Sequence, residues 1–116
     1  MSIRGVHTII FGEDAEAIRA FLRDVLDLDY VEAGGGWPIF KLPPAELSAH
    51  PSETSGHYEL YLMCDDIEET RAELEAKGVE FTSPVRDQSW GLVTAMQVPG
   101  GGELGLYQPL HATAVT

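Results

Sequence analysis

One stretch of the chain, residues 57–81, constrains the fold more than any other; it reads HYELYLMCDDIEETRAELEAKGVEF. Its first residues alternate between two chemically different faces, which is the period-two pattern of a strand. Asp66 follows as an N-cap, and the residues over 67–77 have the composition of a helix. Gly78 ends that helix, because glycine tolerates the left-handed backbone that a helix terminus often needs. The stretch therefore predicts a strand, a helix and the start of a second strand.

The same unit occurs twice. Sliding the chain on itself by 52 places aligns identical residues: Asp14 with Asp66, Arg19 with Arg71, Ala20 with Ala72 and Leu22 with Leu74. A strand, a helix and three short strands are predicted in that order in both halves. The predicted strands cover 6–11, 28–32, 37–42 and 46–50 in the first half, and 57–63, 79–81, 90–98 and 103–107 in the second.

These predictions give a single α+β domain over residues 1–116, built from two βαβββ modules in tandem. Module one covers about residues 5–51, and the segment PSETSG forms a linker over about 51–56. Module two covers about 57–109 and is followed by a tail over 110–116.

Composition excludes several classes of function. The formal net charge is −12, so a nucleic-acid backbone would be repelled and no nucleic-acid partner is expected. No apolar run reaches the roughly 18 residues that a membrane span needs, so no membrane association is expected. The N-terminal residues lack the pattern of a signal peptide, and the single cysteine, Cys64, fits a reducing compartment. A cytoplasmic location is therefore expected.

Three segments together resemble the vicinal oxygen chelate superfamily, which contains glyoxalase I, extradiol dioxygenases, fosfomycin resistance enzymes and bleomycin resistance proteins. They read VHTIIFGEDAEAIRAFLRDVLDL, HYELYLMCDDIEETRAELEAKGVEF and PGGGELGLYQP. The resemblance covers nearly the whole chain. It implies that the two modules form a curled mixed sheet enclosing a cup-shaped cavity, and that the chain forms a homodimer, with a monomer holding one internal cup as the alternative.

The resemblance also implies where a metal site would lie. In metal-dependent members, each module gives one ligand from its first strand and one from its fourth. The first-strand positions match His7 and Glu59, both able to bind a metal. The fourth-strand positions, usually glutamate, match Ser48 and Gly105, which cannot replace a carboxylate. Since tight binding needs three or four protein ligands, a divalent metal is disfavoured.

Other candidate ligands are displaced from these positions. Glu46 and His50 lie two residues from Ser48, and Glu103 lies two residues from Gly105. Two residues span about 6.7 Å along a strand, more than a side chain can fully recover.

Aromatic and sulfur-containing side chains are numerous on the faces expected to point into the cup. They suit a pocket for a flat or apolar small molecule, although packing of a core would also explain them. The predicted ligand-binding residues are Phe11, Trp37, Ser48, His50, Tyr61, Met63, Trp90, Gly105 and Tyr107.

Three functional hypotheses follow. The first is a small-molecule-binding protein of bleomycin-resistance type, without the family's full metal site. The second is a metal-dependent lyase, isomerase or dioxygenase that uses His7, Glu59 and a nonstandard third ligand. The third is a metal-free enzyme in which His7 and Glu59 act as a catalytic acid and base, within one cavity or across two chains.

Overall fold

The structure is a computed structural model that describes residues 7–114. The first half contains one helix and one hairpin. Helix α1, Ala15–Ala20, continues directly into wider π-helical turns over Phe21–Val25. Strands β1, Tyr30–Glu32, and β2, Pro38–Phe40, pair antiparallel as a two-stranded sheet.

The second half forms a complete βαβββ unit. Its elements are β3 (Tyr61–Met63), α2 (Ile67–Ala76), β4 (Arg86–Asp87), β5 (Gly91–Val98) and β6 (Gly102–Pro109). The strand order is β3-β6-β5-β4, with β3 parallel to β6 and the other pairs antiparallel. The chain is thus a small mixed α+β protein, which confirms the predicted fold class. Neither helix within residues 7–114 has the length and hydropathy to cross a membrane.

The two helices begin in the same way, as the internal repeat predicts. The Asp14 carboxylate accepts a hydrogen bond from the backbone N–H of Ala17, at 3.0 Å. The Asp66 carboxylate accepts one from the backbone N–H of Glu69, at 3.1 Å. Each bond satisfies an amide that the helix itself leaves without a partner.

The two repeated arginines also make one contact of the same kind. The Arg19 guanidinium carbon lies 4.7 Å from the ring centroid of Trp37, and that of Arg71 lies 4.7 Å from the ring centroid of Phe81. Both are cation–π contacts between a helix and an aromatic residue further along the same half. The repeated arginines therefore each make a cation–π contact within their own half.

Burial alternates along β5 and defines two faces of the second-half sheet. Thr94, Met96 and Val98 are buried on one face, whereas Val93 and Ala95 on the other are only partly buried. The buried face belongs to the core, whose other members are Ile18, Phe21, Ile67, Leu74, Val79, Leu104 and Leu106. The opposite face is left open, and it carries the candidate site.

A side-chain hydrogen bond fixes the start of α2 to the sheet. The side-chain oxygen of Gln108 on β6 accepts a hydrogen bond from the backbone N–H of Ile67, at 3.0 Å. Ile67 is the first residue of α2 and is almost fully buried. Strand β6 and helix α2 are thus joined by a polar contact as well as by the core.

The first half departs from the predicted strand pattern. Strands were predicted over 6–11 and 46–50, but within the described chain neither 7–11 nor 46–50 belongs to a strand; Val6 lies outside the described residues. In the second half the equivalent strands, β3 and β6, pair with each other, whereas residues 7–11 and 46–50 form no ladder. Pro43 and Pro44, next to the second segment, also lack the N–H that a ladder needs.

Smaller differences affect the second half. The strand predicted from His57 begins only at Tyr61, and the strand predicted over 79–81 is reduced to one bridge between Phe81 and Met96. The short strand Arg86–Asp87 was not predicted, because two residues carry too little periodicity to recognise.

Candidate functional site

An open cleft of about 530 Å³ lies on the uncovered face of the second-half sheet. Small side chains form its floor: Val93 and Ala95 on β5, and Gly105 on β6. The strand register places Ala95 and Tyr61 on either side of Gly105. The floor is therefore formed by small residues, and the Tyr61 ring extends over it at Gly105.

Three aromatic rings form a cluster at one side of this face. Tyr61 and Tyr107 have ring centroids 5.6 Å apart, Tyr107 and Trp90 are 5.7 Å apart, and Tyr61 and Trp90 are 6.5 Å apart. All three pairs meet edge to face, the geometry that aromatic quadrupoles favour. Two imidazole rings extend the cluster, with His50 meeting Trp90 at 6.3 Å and His111 stacking on Tyr107 at 6.1 Å.

Glu59 is engaged by its neighbours on the same segment. The Tyr61 hydroxyl donates a hydrogen bond of 2.8 Å to one Glu59 carboxylate oxygen, and His57 Nε2 lies 3.5 Å from the other. Burial, and then the hydrogen bond to the carboxylate, raise the pKa of Tyr61 to about 12. The Tyr61 hydroxyl therefore keeps its proton at neutral pH and remains a donor to Glu59.

Glu46 has a similar structural role. One of its carboxylate oxygens accepts a hydrogen bond of 3.4 Å from the Tyr107 hydroxyl, and the other accepts one of 2.7 Å from the backbone N–H of Ala114. Burial, and then the Glu46 charge, raise the pKa of Tyr107. The carboxylate thus connects the aromatic cluster to the C-terminal segment.

The residues at the expected metal positions do not form a cluster of metal donors within residues 7–114. His7 and Ser48 are exposed, and Glu59 is held by Tyr61 and His57. The Tyr61 ring covers Gly105 so closely that even a Cβ at that position would overlap it. Within residues 7–114 no three His, Cys, Asp or Glu side chains are grouped so as to hold a metal ion. The donor set of one chain does not fit a family-type metal site.

The structure brings together some of the predicted ligand-binding residues and separates others. Tyr61, Trp90, Tyr107 and Gly105 share one region, with His50 against Trp90 and Met63 in register with Tyr107. Phe11 and Ser48 are exposed, and Trp37 lies under Arg19. No contact joins His7 to Glu59 among the described residues. The roles of these residues in binding or catalysis stay predictions.

The structure places two further charged residues, Arg86 and Glu103, in the lining of the cleft. Arg86 projects from β4 in register with Val93, and it lines the cleft. Glu103, expected on the inward face, also lines the cleft and accepts a short hydrogen bond from the Thr82 hydroxyl. Sequence reasoning missed Arg86 because this residue lies in the polar segment between the strands predicted over 79–81 and 90–98, where no strand was predicted.

Comparison with known families identifies the fold. Residues 4–104 match the Glyoxalase/Bleomycin resistance protein/Dioxygenase superfamily. The chain therefore belongs to this superfamily, which confirms the resemblance to the vicinal oxygen chelate proteins.

Solved structures with the same fold have different functions. The antibiotic-binding protein TnmS3 from Streptomyces sp. CB03234 is 23% identical, with a TM-score of 0.63, over 94% of this chain and 98% of that one. A lactoylglutathione lyase from Agrobacterium tumefaciens is 17% identical, with a TM-score of 0.64, over 93% and 96%. A superfamily member from Sphaerobacter thermophilus DSM 20745 is 22% identical, with a TM-score of 0.64, over 93% and 99%. At these identities the likeness shows the fold alone.

No curated protein matches the sequence significantly. Function must therefore be argued from the cleft.

Proposed function

We propose that the protein binds a small planar molecule in the cleft of the second-half sheet, without a family-type metal site. The observation that carries this proposal is the Tyr61 ring lying over Gly105. It puts an aromatic surface where metal-dependent relatives have a carboxylate. The small side chains of Val93 and Ala95 beside that ring suit the face of a planar ligand.

The comparisons support binding as a function that this fold can have. TnmS3 is an antibiotic-binding protein of the same fold, so a superfamily member with this architecture can serve as a binding protein. The lactoylglutathione lyase shows that the same architecture can also carry an enzyme. The donor set supports binding for this chain, because Ser48 and Gly105 supply no carboxylate and Glu59 is already hydrogen-bonded.

The two tryptophans allow a direct test by nuclear magnetic resonance. Trp90 is part of the aromatic cluster, whereas Trp37 lies under Arg19 in the first half. Titration with naphthalene-2-carboxamide is expected to shift the indole N–H signal of Trp90, because aromatic ring currents act over short distances, and to leave that of Trp37 in place. The variants Trp37→Phe and Trp90→Phe assign the two signals.

Either of two results would contradict the proposal. One is that neither signal moves, or that both move equally, at probe concentrations up to about 1 mM, the weak limit of specific binding. The other is a stoichiometric metal found by elemental analysis after incubation with manganese, zinc, nickel or ferrous iron and lost in both His7→Ala and Glu59→Ala. That second result would favour a metal-dependent lyase, isomerase or dioxygenase.

We propose further that the chain works as a homodimer in the cytoplasm. Large apolar side chains are exposed in the first-half segments that lack a ladder and just before β3: Ile9 at 61%, Phe11 at 85%, Leu47 at 94% and Tyr58 at 92%. Such exposure is unusual for a monomer and typical of a surface that a partner covers. A second copy would cover these side chains and supply partners for the extended segments.

Sedimentation velocity checks this assembly. The wild-type protein is expected to sediment as a dimer, and Phe11→Glu to raise the dimer dissociation constant by at least tenfold, since buried aromatic anchors dominate interfaces. Thr8→Glu is the matched control, because it adds the same charge in the same segment at an exposed polar position. A wild-type monomer, or an equal effect of both substitutions, would contradict the assembly.

A further inference from the structure

We propose that the ligand of this cleft carries one anionic group, a carboxylate or an oxyanion of similar shape, which Arg86 binds while the planar part of the ligand lies against Tyr61 and Tyr107. This inference rests on the proposed binding function and specifies the chemical class of the ligand.

The first argument is the state of the charged groups around the cleft. The two carboxylates that line it are already satisfied: Glu59 accepts from the Tyr61 hydroxyl, and Glu103 accepts from the Thr82 hydroxyl. The Arg86 side chain, in contrast, has no hydrogen-bond or ion-pair partner within residues 7–114. Arg86 is thus the charged residue of the cleft lining that is left without a partner within those residues, and its guanidinium is available to an anion.

The lack of a partner for Arg86 is notable because most other basic side chains have one. Of the six arginines and lysines that the structure describes, four use the side chain to contact a carboxylate or a carbonyl oxygen: Arg19, Arg23, Arg71 and Lys77. Lys41, like Arg86, has no such contact, but it does not line the cleft. With a net charge of −12, this chain offers many carboxylates to its arginines, and Arg86 still pairs with none of those within residues 7–114.

The second argument is distance. Arg86, Val93 and Tyr107 lie opposite one another on β4, β5 and β6. Neighbouring strands are about 4.8 Å apart, so the backbone positions of Arg86 and Tyr107 are separated by about 10 Å. Val93 lies between them with a short side chain. A molecule of two or three fused rings with a terminal carboxylate spans this distance.

The third argument is geometry of recognition. A guanidinium group presents parallel N–H donors that match the two oxygens of a carboxylate. The net charge of −12 opposes the approach of a highly charged anion, so a ligand with a single negative charge on a largely apolar body fits best.

Three probes share a planar naphthalene ring and differ in charge, so they isolate the effect of charge on binding. They are naphthalene-2-carboxylate, naphthalene-2-carboxamide and 2-naphthylmethylammonium. By isothermal titration calorimetry the carboxylate is expected to bind about tenfold more tightly than the carboxamide, since a hydrogen bond to a charged group adds at least about 1.5 kcal/mol. The ammonium is expected to bind more weakly than either. Arg86→Gln should bring the affinity for the carboxylate down to that for the carboxamide and leave the carboxamide unaffected.

Arg23→Gln is the matched control, because it removes the same charge from an exposed arginine that pairs with Asp24 outside the cleft. It is expected to leave all three affinities unchanged. Tighter binding of the ammonium than of the carboxylate would overturn the inference while leaving planar-ligand binding intact. So would equal effects of Arg86→Gln and Arg23→Gln. If none of the three probes binds, the inference and the proposed function both fail.

Discussion

Gly105→Ala is expected to lower the free energy of unfolding by about 2 kcal/mol, the usual cost of forcing a methyl group into occupied space. The reason is the Tyr61 ring, which already fills the space that a Cβ at position 105 would need. Within a strand the same substitution ordinarily stabilises, by roughly 0.5 to 1 kcal/mol, because glycine loses more conformational freedom on folding. The prediction thus reverses the usual sign. Urea denaturation followed by circular dichroism measures it.

A double-mutant cycle identifies the ring as the cause. In a Tyr61→Ala background, Gly105→Ala is expected to become neutral or stabilising by about 0.5 kcal/mol. In Tyr61→Phe, which keeps the ring and loses only the hydroxyl, the cost should persist. A cost that stays the same in Tyr61→Ala would show that the ring does not occupy this position.

Arg71→Met is expected to lower the free energy of unfolding by about 2 kcal/mol. One guanidinium nitrogen donates to the Ser83 carbonyl at 3.0 Å and to the Thr94 hydroxyl at 3.1 Å, and the group lies over the ring of Phe81. Thr94 is buried, so its hydroxyl finds no replacement partner in water. Because this hydroxyl also donates to the Ser83 carbonyl at 2.8 Å, that carbonyl keeps one partner and the loss stays moderate.

Arg23→Met provides the comparison for Arg71→Met. Arg23 forms a bond of the same kind, at 2.8 Å to Asp24, but both side chains are exposed. Exposed pairs contribute between about 0 and 1 kcal/mol, so little change is expected in thermal or urea unfolding. Equal losses in the two variants would show that the buried contacts of Arg71 carry no special weight.

Much of the second half could be predicted because its signals are local. Asp66 and Gly78 mark the two ends of α2, and period-two alternation marks β5. A cap or an alternating face depends only on residues a few positions apart, which a single sequence displays. The internal repeat aligns Asp14 with Asp66, so the N-cap of α1 could be predicted in the same way.

The first-half strands could not be predicted reliably because their formation depends on distant partners. Residues 7–11 and 46–50 have suitable composition, yet a strand exists only where another strand supplies its hydrogen bonds. If a second copy of the chain supplies these hydrogen bonds, the sequence pattern of one chain cannot predict the strand.

The sheet face of several candidate site residues could be predicted, but their contacts could not. Alternation correctly assigned Tyr61, Gly105 and Tyr107 to one face. What alternation cannot show is the direction a side chain takes above the sheet. That direction determines that the Tyr61 ring covers Gly105 and that its hydroxyl engages Glu59.

The bond between Gln108 and Ile67 gives the cleft a connection to the far side of the sheet. Tyr107 lies on the same face of the sheet as the cleft, and the next residue, Gln108, faces the helix and accepts a hydrogen bond from the amide of Ile67. A displacement of Tyr107 therefore reaches the first turn of α2 through a single peptide unit. The rate at which the Ile67 amide proton exchanges with solvent therefore reports how stably β6 holds α2. This amide lies on the face of the sheet opposite the cleft.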